Sequence, residues 1–126
     1  GDVACENYTT PREMAEFVER MHKGEIVSRA ASEFMLEIMK RNKVRNRFAK
    51  GLPSGWELAH KTGMLRQSCH DVGVIYSPQG EYVLAVMTKD VPDYHYTFNY
   101  ITKAAKVTYK YYRLPPEPAA KQSRKT

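Results

Sequence analysis

What most constrains this chain is a change in the period of its apolar residues, from helical to alternating and back. Met14, Phe17, Val18 and Met21 recur at i, i+3, i+4 and i+7, one face of a helix. Ala31, Phe34, Met35, Ile38 and Met39 form a second such stripe. From Trp56 the period drops to two: Trp56, Leu58 and His60 alternate with Glu57, Ala59 and Lys61, and Val72, Val74 and Tyr76 alternate with Gly73 and Ile75. Side chains repeat every 3.6 residues on a helix and every two on a strand, so neither pattern can serve the other element. The helical period returns after Pro92, with Phe98, Ile101, Ala105, Thr108 and Tyr112 as the expected buried face. The order ααβββα predicts an α+β fold: two helices, a three-stranded antiparallel sheet, and a long final helix on one sheet face.

Local signals place the boundaries. Thr10-Pro11-Arg12-Glu13 is a helix start, with a capping threonine, proline at the first helical position and a glutamate that closes a capping box. Gly24 ends that helix, and Ser28 caps the next. Lys40, Arg41 and Lys43 crowd its end, where they complement the helix dipole. Residues 44–55 read as a connection, with Gly51, Pro53, Ser54 and Gly55 as turn chemistry. Strands are expected near 56–62, 70–76 and 81–88, with Ser77-Pro78-Gln79-Gly80 as a turn. Pro92-Asp93 opens the last helix and Pro115-Pro116 stops it. Residues 1–113 are thus expected to form one domain and 114–126 a flexible, proline-rich basic tail.

Composition narrows the classes. The chain has 126 residues, 42% of them hydrophobic, enough for one domain with a core that needs no covalent staples. No apolar run approaches the ~18 residues that span a bilayer. Gly1–Thr10 lacks a basic start followed by an apolar block, so no signal peptide is expected within this sequence, which leaves export of a longer precursor open. Two cysteines, Cys5 and Cys69, exclude a disulfide-dense scaffold and a four-cysteine zinc site, while a disulfide between them stays open for an exported chain. The net charge of +6 favours anions, although Lys121, Arg124 and Lys125 of the tail account for half of it. The last helix interleaves Tyr94, Tyr96, Tyr100, Tyr109, Tyr111 and Tyr112 with Lys103, Lys106, Lys110 and Arg113. Rings packed on the sheet explain that pattern better than nucleic acid, since no nucleic-acid-binding motif accompanies it. Neither a nucleic-acid partner nor a membrane is expected.

The chemistry lies around Lys61-Thr62-Gly63. This triplet follows Gly55-Trp56-Glu57-Leu58-Ala59-His60, and His70-Asp71-Val72-Gly73-Val74-Ile75-Tyr76-Ser77-Pro78 and Tyr82-Val83-Leu84-Ala85-Val86-Met87-Thr88 come after it. Upstream, Thr9-Thr10-Pro11-Arg12-Glu13-Met14-Ala15 opens the first helix. In this order and at these spacings, the chain from about Tyr8 to Arg113 resembles the serine β-lactamase and penicillin-binding protein superfamily, closest to class A β-lactamases. The resemblance covers the carboxy-terminal half of that family's domain.

The resemblance implies roles for particular residues. Lys61 would place a positive charge near a substrate carboxylate and the nucleophile's proton acceptor. Thr62 Oγ would hydrogen-bond the same carboxylate. Gly63, without a Cβ, would let an acyl substrate lie along the strand edge, and the Met64 N–H would donate one oxyanion-hole bond. Family members that hold the carboxylate with an arginine on the next strand have Val72 at the matching position here, and Arg66 in the intervening loop is a substitute. The family's nucleophile lies in a Ser-x-x-Lys motif, accompanied by a Ser-Asp-Asn-type motif. Ser28, Ser32, Ser54, Ser68, Ser77 and Ser123 all lack a lysine three positions on, and none begins Ser-x-Asn. The family's catalytic glutamate precedes the Thr-Thr-Pro helix, and the surroundings of Glu6 do not match it.

Other residues weigh less. His60 and His70 lie on neighbouring strands where they could face each other, and structural histidines are expected, since no third ligand has metal-site spacing. Asp71 beside His70 has the composition of a dyad, and Cys69 beside His70 that of a thiolate pair, but a buried inert thiol is the plainer reading of Cys69. The expected function is the carboxy-terminal portion of a class A β-lactamase-like serine hydrolase, inactive alone, periplasmic or secreted, without cofactor or metal. Its partners would be a β-lactam or peptidoglycan stem peptide, and the missing amino-terminal half or further copies of itself. The alternatives are a non-catalytic remnant or carboxylate-binding module, and part of a D-Ala-D-Ala peptidase-type penicillin-binding protein.

Overall fold

The computed structural model describes residues 8–113. Its elements are α1 (Pro11–His22), α2 (Arg29–Lys40), α3 (Phe48–Gly51), β1 (Glu57–Leu65), β2 (Ser68–Ser77), β3 (Gly80–Lys89) and α4 (Tyr94–Arg113). The α+β class and the order of the long elements are as expected. The addition is α3, inside the segment expected to be a plain connection. At four residues it is too short to carry a period, and tertiary contact holds it. Phe48 is fully buried in the core. Gly51 sits so close to α4 that a Cβ there would lie 2.2 Å from the Thr102 carbonyl oxygen. Cys5, Glu6 and the 114–126 tail lie outside the described residues, as does the side chain of Tyr112.

The caps follow the sequence signals. Thr10 Oγ1 accepts the Glu13 N–H at 3.1 Å, and Ser28 Oγ accepts the Ala31 N–H at 3.0 Å. Each cap is worth about 1 kcal/mol. The α1–α2 connection is tied by Ser32, which is fully buried: its hydroxyl accepts from the Ile26 N–H at 3.0 Å and donates to the Ile26 carbonyl at 2.8 Å.

The sheet has the order β1-β2-β3, antiparallel throughout. Strand β1 runs beyond its expected end, because Gly63 and Met64 stay paired with β2. Pairing continues to Leu65 opposite Ser68, and Arg66-Gln67 make the turn. Gln67 takes φ +60, a costly conformation for a side chain, and two contacts hold it there. Tyr94 Oη donates to the Leu65 carbonyl at 2.7 Å and accepts the Gln67 N–H at 3.0 Å. The Val91 N–H donates to the Gln67 carbonyl at 3.0 Å. The start of α4 thereby clamps the β1–β2 turn, and Lys61-Thr62-Gly63 lies inside a strand.

Each sheet face carries its own core. On one, Phe48 of α3 and Ile101 and Ala105 of α4 meet Leu58, Cys69, Ile75 and Tyr82. On the other, Val18 and Met21 of α1 and Leu36 of α2 meet Ala59, Val72 and Val74. Fully burying a side chain such as Ile101 contributes roughly 1.5–3 kcal/mol. Covering both faces explains why β2 reads as a near-continuous apolar run, buried from Asp71 to Ile75. The expected face of α4 is correct at Ile101 and Ala105, and Phe98 packs against the same core.

Candidate functional site

Helices α1 and α2 and the sheet line a cavity of about 500 Å³. Its walls are apolar and rich in methionine: Met14, Phe17, Val18 and Met21 from α1, Met35, Ile38 and Met39 from α2, and Val72 and Met87 from the sheet. The residues that α1 and α2 place every third and fourth position converge on this space. Lys61, Thr62, Gly63 and His70 of β1 and β2 also line it, as does Thr9. A concave, mainly apolar space with a few converging polar groups is the usual form of a small-molecule site. Among the described residues no carboxylate, serine or cysteine borders this cavity, and Lys61 is the charged side chain that lines it.

Strand pairing dictates how the candidate residues meet. Lys61 is opposite Val72, Thr62 opposite Asp71, Gly63 opposite His70 and Met64 opposite Cys69. Side chains alternate, so Lys61, Gly63, His70 and Val72 belong to the α1/α2 face, and Thr62, Met64, Cys69 and Asp71 to the α4 face. Lys61 is exposed, and its Nζ donates to the Thr62 carbonyl. The missing Cβ of Gly63 leaves room for the His70 ring, whose Cδ2 would sit 3.3 Å from a Cβ there. Met64 lies outside the cavity, and its Sδ accepts from an Arg47 amino group at 3.8 Å. Arg66, offered as a carboxylate ligand, occupies the exposed β1–β2 turn and does not border the cavity.

The two histidines do not face each other, which corrects the sequence reading. Strand parity puts them on opposite faces, because His60 is paired with Gly73 and His70 with Gly63. Asp71 partners His60 instead of its neighbour His70. Its Oδ1 lies 2.8 Å from His60 Nδ1, and its Oδ2 accepts the Phe48 N–H at 3.1 Å. Both side chains are essentially fully buried, and His60 Nε2 has no partner among the described residues. Gly73 makes space for the pair: a Cβ there would lie 2.7 Å from His60 Cβ and 2.2 Å from the Ala59 carbonyl oxygen.

Arg47, which sequence reasoning passed over inside a supposed loop, organises the rest of that face. It is 4% exposed, and its Nε donates to Cys69 Sγ at 3.1 Å. Its guanidinium lies 4.5 Å from the Phe98 ring centre, and Thr102 Oγ1 donates to its carbonyl at 3.0 Å. Such cation–ring contacts add about 1–2 kcal/mol when desolvated. Cys69 is a buried free thiol, fully enclosed, with Cys5 outside the described residues. Among the described residues no group of three or more histidines, cysteines and carboxylates could hold a metal ion.

His70 is the residue of the cavity whose importance the sequence understated. The Thr88 N–H donates to His70 Nδ1 at 3.2 Å. Burial pushes its pKa below the ordinary 6.5, a hydrogen bond to the Cys69 backbone opposes this, and the Arg47 cation adds to it. Because Nδ1 accepts the Thr88 N–H, the proton of the neutral ring sits on Nε2. Only the register, which sets it beside Gly63, reveals this position.

Comparison with known proteins points one way. Residues 3–112 match the family model described as the beta-lactamase enzyme family. A beta-lactamase of Bacillus licheniformis is 37% identical over 82 residues, 62% of this chain and 27% of that protein. The crystal structure of a beta-lactamase from Sphaerobacter thermophilus superposes with a TM-score of 0.83 at 28% identity, covering 92% of this chain and 45% of that one. A variant of PBP-A, solved as an acyl-enzyme complex with penicillin G, superposes with a TM-score of 0.77 at 29% identity over 89% of this chain and 43% of its own. The chain thus spans less than half the length of each of these relatives. Among the described residues, no helix is long and apolar enough to cross a membrane.

Proposed function

The chain belongs to the beta-lactamase enzyme family, and on that premise we propose that it is the carboxy-terminal portion of a class A-like serine hydrolase acting on β-lactams. In this reading the chain supplies the strand that binds the substrate's carboxylate, and the reaction passes through an acyl-enzyme. The observation that carries it is the Lys61 ammonium at the polar end of an apolar cavity that no carboxylate of the described residues borders. An anionic bicyclic amide with an apolar side chain suits such a space. Lys61 attracts the carboxylate, Gly63 lets the acyl group run along β1, and the Met64 N–H polarises the carbonyl. Thr62 borders the same cavity, while strand alternation directs its hydroxyl to the opposite sheet face.

The nucleophile has to come from elsewhere. Among the described residues no serine borders the cavity, and Cys69 belongs to the opposite sheet face. The relatives have more than twice this chain's matched length, and that further part would bring the nucleophile and its base. Within the described residues the outer edge of β3 pairs with no strand, so an added strand could join there, from an amino-terminal half in trans or from a second copy. Family membership also favours a periplasmic or secreted location.

The test is hydrolysis of a chromogenic cephalosporin. The 126-residue chain alone should give background rates, and addition of the amino-terminal half of a relative should raise them. Lys61→Ala should then lower the restored rate by about 10²-fold, the usual scale for losing one electrostatic contact of such a site. A Lys125→Ala control should change nothing. Restored turnover that ignores Lys61 would contradict the assignment. The lack of a serine among the described residues that line the cavity also favours a second reading, a non-catalytic carboxylate-binding module. In that case benzylpenicillin would bind near Lys61 and no added segment would restore turnover.

A further inference from the structure

Resting on the carboxylate-site reading above, we propose that His70 is a specificity-determining residue of that site, its Nε2–H donating to the substrate's carboxylate beside Lys61. Three observations carry this. His70 is the cross-strand partner of Gly63, and its ring lies over the space that a Cβ on Gly63 would crowd. It lines the same cavity as Lys61, so a cation and a neutral donor meet at one end of an apolar space. The tautomer is set from behind. The Thr88 backbone can only donate, at 3.2 Å, so Nδ1 keeps its lone pair and the ring proton sits on Nε2.

The surroundings suit a neutral donor. From α1 and α2 the facing residues are apolar, from β1 the facing charge is Lys61, and among the described residues no carboxylate borders the cavity. Burial also lowers the His70 pKa, which favours the neutral ring. The site then selects ligands with one carboxylate attached to an apolar body, and a volume of about 500 Å³ is within the usual range for small-molecule pockets. The pairings that adjacency in sequence suggests for His70 are not made, because Asp71 binds His60 and Cys69 binds Arg47 on the opposite face.

The experiment is an NMR titration of the 126-residue chain with benzylpenicillin and, in parallel, its methyl ester. Long-range ¹H–¹⁵N spectra at pH 7.5 should show a pyridine-type Nδ1 and a pyrrole-type Nε2 at His70, with Nε2 shifting on addition of benzylpenicillin. His70→Phe keeps a ring without a donor and should weaken binding about ten-fold, while His70→Gln restores an N–H and should recover most of it. The ester should bind the wild type and His70→Phe alike. A proton on Nδ1, or equal weakening by His70→Phe and His70→Gln, would overturn the proposal. If Lys61→Ala weakened binding while His70→Phe did not, the inference would fail and the carboxylate site would stand. If saturating benzylpenicillin moved no resonance of residues 61–63, the site reading itself would fall and take the inference with it.

Discussion

Replacing Asp71 with alanine should be among the most damaging single changes in this fold. The carboxylate is fully buried and serves two donors, His60 Nδ1 at 2.8 Å and the Phe48 N–H at 3.1 Å. Alanine leaves both without an acceptor in a site that water does not reach. At about 1–3 kcal/mol for each orphaned buried group, the loss is about 2–6 kcal/mol. The upper part of that range applies, because His60 Nε2 already lacks a partner among the described residues and the imidazole would then have none there. A domain of this size is stable by about 5–15 kcal/mol, so a large share of it would go. Urea denaturation followed by Trp56 fluorescence and far-UV circular dichroism measures the change. With a slope of about 2 kcal/mol per molar, the midpoint should fall by about 2 M. Asp71→Asn keeps one acceptor oxygen and should lose about half as much. A cycle with His60→Ala should show about 1.5–3 kcal/mol of coupling for the charge-assisted bond. A loss under 1 kcal/mol, or additive single mutants, would show that the pair does not anchor α3 to the sheet.

Gly73→Ala should lower stability by at least about 2 kcal/mol, because the new Cβ would lie 2.2 Å from the Ala59 carbonyl oxygen, and a paired backbone cannot step aside; a calorimetric melting temperature unchanged from wild type would contradict this. Tyr94→Phe should cost about 1–2 kcal/mol and speed amide exchange at Gln67, since the phenol oxygen bridges Leu65 and Gln67 at 2.7 and 3.0 Å; equal exchange rates would refute it. His70 binds its proton less readily when folded, so its contribution to stability is complete above its ordinary pKa of 6.5 and is lost as the pH falls through its lowered folded value; His70→Asn should flatten that acid-side decline in urea midpoints, and an identical pH profile would count against it. The unpaired β3 edge should drive concentration-dependent association in analytical ultracentrifugation, and a clean monomer at high concentration with slow exchange at Val83–Val86 would argue against an open edge.

Much of the architecture was legible before any coordinates because its signals are local. Thr10 and Ser28 cap as their sequence contexts imply, and the stripes Met14–Met21 and Ala31–Met39 fold into α1 and α2. Strand lengths were underestimated where a residue was judged by its type alone. Gly63 resembles a turn residue, yet its missing side chain serves the His70 ring across the ladder. Helix α3 escaped notice because burial of Phe48 and a close approach to α4, not propensity, hold its single turn together.

By itself the sequence determined the alternation of periods, the caps, the class and the Lys61-Thr62-Gly63 strand, all properties set within a few residues of each position. The tertiary structure alone decided which polar residues meet. Neighbouring residues of a strand point to opposite faces, so Asp71 left His70 for His60, eleven residues away in sequence. The same rule sent Cys69 to Arg47 and left His70 beside Gly63 in the cavity. Adjacency in the chain is covalent and visible as letters. Contact across a sheet depends on register, and register is set by burying both faces at once.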